Sequence, residues 1–440
     1  MQPRWYSGAT RGQWLALAAA LLGWAFDGFE MGVFPIIARP ALIELEGLSE
    51  QEQIRKDESR SQSERDQAKA VVDKRVREWN AVLTAVFLIG ASLGGLLFGW
   101  IGDRIGRVRA MVFSVLAYAV FTGACGFAKA SWHLAVLRFL AALGMGGEWS
   151  LGVALVMEKW SPHARPVLAG LIGVGSNLGF LSVAILSRFI SPDESWRVIL
   201  MACVFPALLT FFIRMFVPES EKWEKASSSG PEPGIGAIFV PGLRSRSLLG
   251  AGLGAVALLA TWGAVQWITL WVGQMTPRET DKVDAQICSA LGAIVGAFLG
   301  AVWLQHLPRR LGYFLLCLVS LVVCQYLFAP GVFPETLGKR EFGGPFLASV
   351  ALVGACSAAF YGWLPLYLPE LFPTRVRAAG QGFCYNFGRS LAAVGVLVVN
   401  FGINLKGEYA LAGAIVVLVY LVGMVLAWFA PETKGQPLPA

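Results

Sequence analysis

The chain has 440 residues, of which 56% are hydrophobic and only 15% charged, and its mean hydropathy is +0.59. A soluble globule of this length needs more polar surface than that, so a water-soluble fold is excluded and lipid is the solvent that fits. The formal net charge of +7 does not indicate nucleic acid, because Lys and Arg lie in short loops between apolar runs, a pattern that orients membrane helices.

The first apolar run, 14–38, is interrupted by Asp27 and Glu30 and has no small-residue cleavage pattern after it, so it is expected to stay as a membrane helix rather than leave as a signal peptide. Segment 41–79 follows, with ten acidic and eight basic residues and no Pro or Gly after Gly47. Its strong helix formers without a wide apolar face predict a solvated helical extension outside the membrane; a lid or partner-docking arm is the functional alternative. Five more spans are expected at 80–101, 110–128, 132–157, 166–189 and 196–216. A second polar stretch, 218–248, contains SSSGPEPG and reads as a linker. The last six spans are expected at 249–272, 285–305, 312–329, 346–368, 379–402 and 408–430. The reading is an all-α membrane protein of twelve transmembrane helices, with six-helix units at 1–217 and 249–440. Lys and Arg favour the side of the termini once the 41–79 segment is set aside, so both termini and the linker are expected in the cytoplasm and the insert outside. The seven cysteines fall in or beside apolar runs without close pairing and read as small packing residues.

The two units look like copies. Glu158 and Arg165 in EKWSPHAR recur 212 residues on as Glu370 and Arg377 in ELFPTRVR, and Pro218-Glu219-Ser220 recurs as Pro431-Glu432-Thr433. Duplicated halves in an apolar chain mark a secondary transporter whose two bundles are pseudo-symmetric.

Five ionisable residues fall within predicted spans: Asp27, Glu30, Arg138, Glu148 and Arg389. Each costs roughly 2.5–3.5 kcal/mol at mid-membrane unless paired or facing water, so they are expected around a central cavity. Asp27 and Glu30 share one helix face and are candidates to take up a coupling proton, with Glu148 as a third; the alternative is that a carboxylate only pairs with an arginine to hold helices together. Arg138 and Glu148, ten residues apart on one helix, cannot be partners. Arg138 could attract an anion, and Glu148 could accept a proton or pair with Arg389. Arg389 offers a planar fork for a carboxylate, with snorkelling to the cytoplasmic surface as the alternative, and Asn386 an amide three residues before it. Asn177 mirrors Asn386 across the repeat, and Gln266, Trp262, Trp267, Trp271, Tyr361 and Trp363 are further candidates to line a pocket, although packing or anchoring at the interface is the favoured reading of the aromatic ones.

Between the second and third spans runs GWIGDRIGRVR, in which Gly99 and Gly106 allow close helix approach while Asp103, Arg104 and Arg107 can lock helix ends in one state and release them in another. With Glu158, Arg165, Glu370 and Arg377 these residues form the expected gate. The loop resembles the signature of the major facilitator superfamily, and the resemblance extends over nearly the whole chain; the counterpart HLPRRLGY at 306–313 has lost the Asp. PETKG, PES and Phe29-Glu30-Met31-Gly32-Val33 are similar to sugar porters, but the seventh span has Gln266-Trp267 in place of the paired glutamines that bind hexose there. WAFDGFE, LRFLAALGMGGEWSLGVALVMEKW and LFPTRVRAAGQGFCYNFGR resemble the sialate and related organic-acid proton symporters.

This resemblance implies proton-coupled symport of a small organic anion by a monomer in the inner membrane, with a sugar porter as the alternative. An enzyme finds little support, because His133, His163 and His306 stand in no metal-ligand spacing and no phosphate-binding loop is present. No cofactor or metal is expected, and the proton gradient supplies the energy. A transporter-like sensor would usually add a long cytoplasmic tail.

Overall fold

The computed structural model describes residues 5–189, 195–228, 230, 232–276, 278–329, 341–398 and 409–439. Among these residues all regular structure is helical, as lipid demands of a chain that must satisfy its backbone groups internally.

The first half runs α1 (Arg11–Leu45), α2 (Ser49–Lys56), α3 (Gln62–Ile105), α4 (Arg107–Cys125), α5 (Ser131–Lys159), α6 (Arg165–Leu186), α7 (Trp196–Ala202) and α8 (Val204–Met215). The short α9 (Glu221–Ser227) lies in the linker. The second half runs α10 (Arg244–Gly263), α11 (Ile268–Met275), α12 (Glu279–Leu304), α13 (Arg309–Phe328), α14 (Gly344–Leu371), α15 (Arg377–Leu397), α16 (Tyr409–Val416) and α17 (Val419–Phe429). Ten stretches among the described residues are long and apolar enough to cross a membrane. The other two expected spans are filled by the pair α7 and α8, broken at Cys203, and by α15, whose Gln381, Asn386 and Arg389 dilute its apolar character. The predicted ends at 402 and 408 lie outside the described residues.

Several boundaries differ from expectation for physical reasons. The helix α1 continues through Pro35 and Pro40 to Leu45, seven residues beyond the expected 38. A capping box of Ser61 with Glu64 starts α3, which then runs unbroken for 44 residues. At 1.5 Å per residue that is about 66 Å, so its first half stands outside a bilayer core of about 30 Å. The insert is therefore helical as expected, and it is tied down: Arg39 meets Asp73 at 2.7 Å, Arg75 meets Glu46 at 2.7 Å, and Glu44 accepts from Trp196 Nε1 at 2.7 Å. The expected span 249–272 is interrupted at Ala264 by a 3-10 turn over Val265–Trp267.

Two seams join the halves, α3 against α15 and α6 against α12 and α14. Glycine makes the first possible: a methyl group on Gly382 would overlap the carbonyl of Gly95.

Candidate functional site

A cavity of about 1090 Å³ lies between the halves, walled by α1, α3, α6, α10, α11, α12, α14 and α15. Its rim carries Asp73, Arg77 and Asn80 of the α3 extension; its depth holds Trp24, Tyr361, Tyr385 and Arg389. The break after α10 turns Gln266 and Trp267 into the lining, because an interrupted helix presents side chains that a continuous one would point at its neighbours. Asn177 and Trp262 also line the cavity. Tyr361 is fixed by donating its hydroxyl to Thr261 Oγ1 at 2.8 Å. Tyr385 stacks on Trp149 with centroids 3.8 Å apart, and Trp24 sits edge-on to Tyr361 and Tyr385.

Arg389 is buried at 5% exposure, with its guanidinium 5.6 Å from the Tyr385 ring. It forms no ion pair with a described residue, and its Nε has no hydrogen-bond partner. A buried cation of this kind is costly unless an anion completes it.

The carboxylates do not group as the helix spacing suggests. Glu30 pairs with Arg138 at 2.6 Å, and the Arg138 guanidinium lies 3.6 Å from the Phe34 ring and 4.8 Å from that of Phe87. Both residues sit outside the cavity lining, so Arg138 contacts a protein carboxylate and not the cavity. Asp27 turns away from Glu30 and faces Glu148 at hydrogen-bond range, leaving its Oδ1 buried without a partner. Glu148 forms an ion pair with Arg214 instead of Arg389, in space left by Gly23. Arg214, fully buried, is missing from the residues singled out above; two residues from the end of the predicted span 196–216, it reads as a flanking cation. The signal that could have found it is a lone charge in the run LLTFFIRMF.

Three other candidates lie away from the cavity. Asn386 donates to Gly146 O at 3.2 Å and Gly382 O at 3.0 Å, and so fastens α15 to α5 of the other half. Trp363 packs between Tyr313 and Tyr367, and Trp271 against Phe346. Their ring faces are spent on packing.

The end of the molecule opposite the insert is shut. Asp103 accepts from the backbone N–H of Ala378 at 3.1 Å and Ala379 at 2.9 Å, the free donors at the start of α15. Arg107 reaches Asp103 at 2.7 Å, Glu158 at 3.0 Å and Thr374 O at 2.6 Å. Arg377 also meets Glu158, at 2.9 Å. Gly99 lets the Ala378 carbonyl approach α3, and Gly106 makes the turn into α4 at φ 111°, a region that favours glycine. Arg104 pairs with Glu232 of the linker.

The sequence repeat becomes a repeat of contacts. Glu219 accepts from the N–H groups of Arg107 and Val108, both at 3.0 Å, and Glu432 accepts from those of Arg309 at 2.9 Å and Arg310 at 3.3 Å. Arg309 meets Glu370 at 2.9 Å, as Arg107 meets Glu158. Burial pushes Glu432 up, but the N–H groups of Arg309, Lys434 and Arg310 outweigh it and hold the carboxyl below its usual 4.5. The superposition of contacts also locates the difference between halves. Gln305 stands where Asp103 would be, and Pro166, which has no N–H, stands where Ala378 would donate. Arg165 correspondingly donates to Met157 O at 3.2 Å and forms no ion pair with a described residue.

Two helical halves around a polar cavity, open at one end and fastened at the other, define a multi-pass membrane transporter of the major facilitator fold. The chain belongs to the "Sugar (and other) transporter" family, whose model matches residues 16–228 and 276–440. It is 28% identical over 444 residues to a protein of Cupriavidus pinatubonensis described as a probable 4-methylmuconolactone transporter, covering 98% of this chain and 93% of that one. It is 24% identical over 418 residues to the sialic acid transporter NanX of Escherichia coli, covering 93% and 92%. The solved structure of the proton:xylose symporter XylE bound to 6-bromo-6-deoxy-D-glucose superimposes with a TM-score of 0.72, covering 97% of each chain at 16% identity, a likeness of fold. The protein is thus a transporter of small molecules across a membrane, not an enzyme.

Proposed function

We propose that the protein imports a small ring-bearing carboxylate together with one or more protons, by alternating access. The observation that carries this reading is Arg389, a buried cation in the cavity with no anionic partner among the described residues. A carboxylate on the cargo completes it through a bidentate pair, and the rings of Trp24, Tyr361 and Tyr385 offer faces to a flat or cyclic body. Asn177 and Gln266 supply amides for carbonyl or hydroxyl groups. The cargoes named for the two relatives, 4-methylmuconolactone and sialic acid, are both ring carboxylates.

In this reading the coupling proton sits between Asp27 and Glu148, because two carboxyl groups at hydrogen-bond range are joined by a proton. Glu30 holds Arg138 in place and takes no part in coupling. Residues 1–217 and 249–440 rock as two bodies joined by the linker 218–248. The face closed by Asp103, Arg107, Glu158 and Arg377 is cytoplasmic, as are both termini, so the state described is outward-open. The protein works as a monomer in the inner membrane, with the insert outside.

The test is uptake of a labelled panel into proteoliposomes, with sialic acid, hexuronates, aromatic and short carboxylates and hexoses offered with and without an inside-alkaline gradient. Accumulation of one acid only with the gradient is the expected result. A second reading, a sugar porter, is favoured by the amides of Asn177, Gln266 and Gln286 in the lining. Gradient-independent hexose flux would put it in first place.

A further inference from the structure

We infer that the insert builds an anion-capture site at the rim of the cavity, centred on Arg77, which draws the cargo in toward Arg389; this rests on the carboxylate reading above. Among the described residues, four charged side chains line the cavity: Arg39, Asp73, Arg77 and Arg389. The single acid among them is already neutralised, since Arg39 meets Asp73 at 2.7 Å while also reaching Glu52 at 3.5 Å. Arg77 is left. It is exposed, lines the cavity, and makes no ion pair or hydrogen bond with another described side chain.

Its position is set by the helix, not by chance. Asp73, Arg77, Asn80 and Thr84 are spaced by four, three and four residues, so they form one polar stripe down α3, and all four line the cavity. The stripe runs from the solvated arm into the wall. Val72, fully buried, and the pair of Arg75 with Glu46 at 2.7 Å hold the helix in that rotation. Without the insert α3 would begin near the membrane surface, and the rim would lack both Asp73 and Arg77.

A cation at the mouth of a low-dielectric cleft raises the local concentration of anions and their rate of entry, an effect that salt screens over about 10 Å at 0.1 M. It acts on capture. The bound geometry belongs to Arg389, so maximal rate should not depend on Arg77.

The experiment uses the full chain in proteoliposomes and follows initial uptake of labelled 4-methylmuconolactone or of the acid in the panel above that wild type accumulates. Arg77→Gln should raise KM about threefold at low salt, Arg77→Glu more, and Arg77→Lys little, with maximal rates unchanged. The gap should close at about 0.5 M salt. An unchanged KM for Arg77→Gln at low salt, in a protein that accumulates the acid, overturns the capture site and leaves the carboxylate reading intact. So does a gap that persists in high salt, since it marks a structural effect. If wild type takes up none of these acids, the carboxylate reading falls and the capture site with it.

Discussion

Arg377 Nη1 lies 2.9 Å from Glu158 Oε1, and the two residues belong to opposite halves of the repeat. Their repeat mates, Arg165 and Glu370, do not pair; Glu370 is held by Arg309 and by the Thr433 hydroxyl within its own half. One cross-link of a possible two is made.

Removing it should loosen the closed face. Glu158→Gln leaves Arg107 and Arg377 buried without their shared carboxylate, at a cost of about 3 kcal/mol, enough for roughly a 150-fold shift between states. Spin labels at Arg109 and Gln436, both exposed near that face, should then report a second, longer distance population. A distribution identical to wild type would show that the cross-link does not hold the state.

Asp27→Asn should abolish pH-driven accumulation while leaving exchange of cargo measurable. The amide keeps the volume beside Glu148 but carries no exchangeable acid proton. Wild-type accumulation in this variant would move the coupling site elsewhere.

Glu30→Gln should act differently, through stability. It strands the Arg138 guanidinium at 3% exposure, which costs about 3–5 kcal/mol and lowers the melting temperature in detergent. The double change Glu30→Gln with Arg138→Met should recover most of that loss. A double variant as unstable as the single one would argue against the pair.

Arg389→Lys should weaken cargo affinity about tenfold, because an ammonium cannot reproduce two parallel N–H donors to one carboxylate. Apparent affinity equal to wild type would remove Arg389 from the binding site.

The Glu432 carboxyl, held below its usual value of 4.5 by the N–H groups at the start of α13, contributes stability that is present above pH 4.5 and lost as pH falls through its folded value. Glu432→Gln should therefore lower the unfolding midpoint by about 1–2 °C at pH 7, with the gap narrowing as pH falls below 4.5. A gap independent of pH would point to packing instead.

Much of the fold was legible in the residues. The apolar runs located the spans, though ends such as that of α1 moved by as much as seven residues, and the repeat of Glu158 in Glu370 and Glu219 in Glu432 reappears as matching hydrogen bonds. The pairing of intramembrane charges was less so. Helix spacing put Asp27 and Glu30 on one face, yet each turns to a different neighbour, because rotamers send one toward Glu148 and the other toward Arg138. Arg214 shows the same limit: a cation near a predicted helix end looks like an anchor until the partner, 66 positions away at Glu148, is seen. Asn386 and Asn177 occupy equivalent places in the repeat but not in the molecule, since Asn386 reaches across to Gly146 of α5 whereas Asn177 donates to Gly173 of its own helix and lines the cavity.

Gln305 and Pro166 give the closed face a handedness. The two seams are related by the repeat, yet one carries the carboxylate and its two N–H donors while the other has lost both the acid and a donor. A door fastened along one edge only has a clasp side and a hinge side. The α3–α15 edge is the clasp of that face; the α6–α12 seam has its ion pair, Arg188 with Asp284, at the other end of α6, and in the alternating-access reading proposed above it is the hinge on which the halves stay in contact as the clasp parts. In the alternating-access reading proposed above, a duplicated unit thereby acquires a preferred direction of swing through changes at two positions, with no element added.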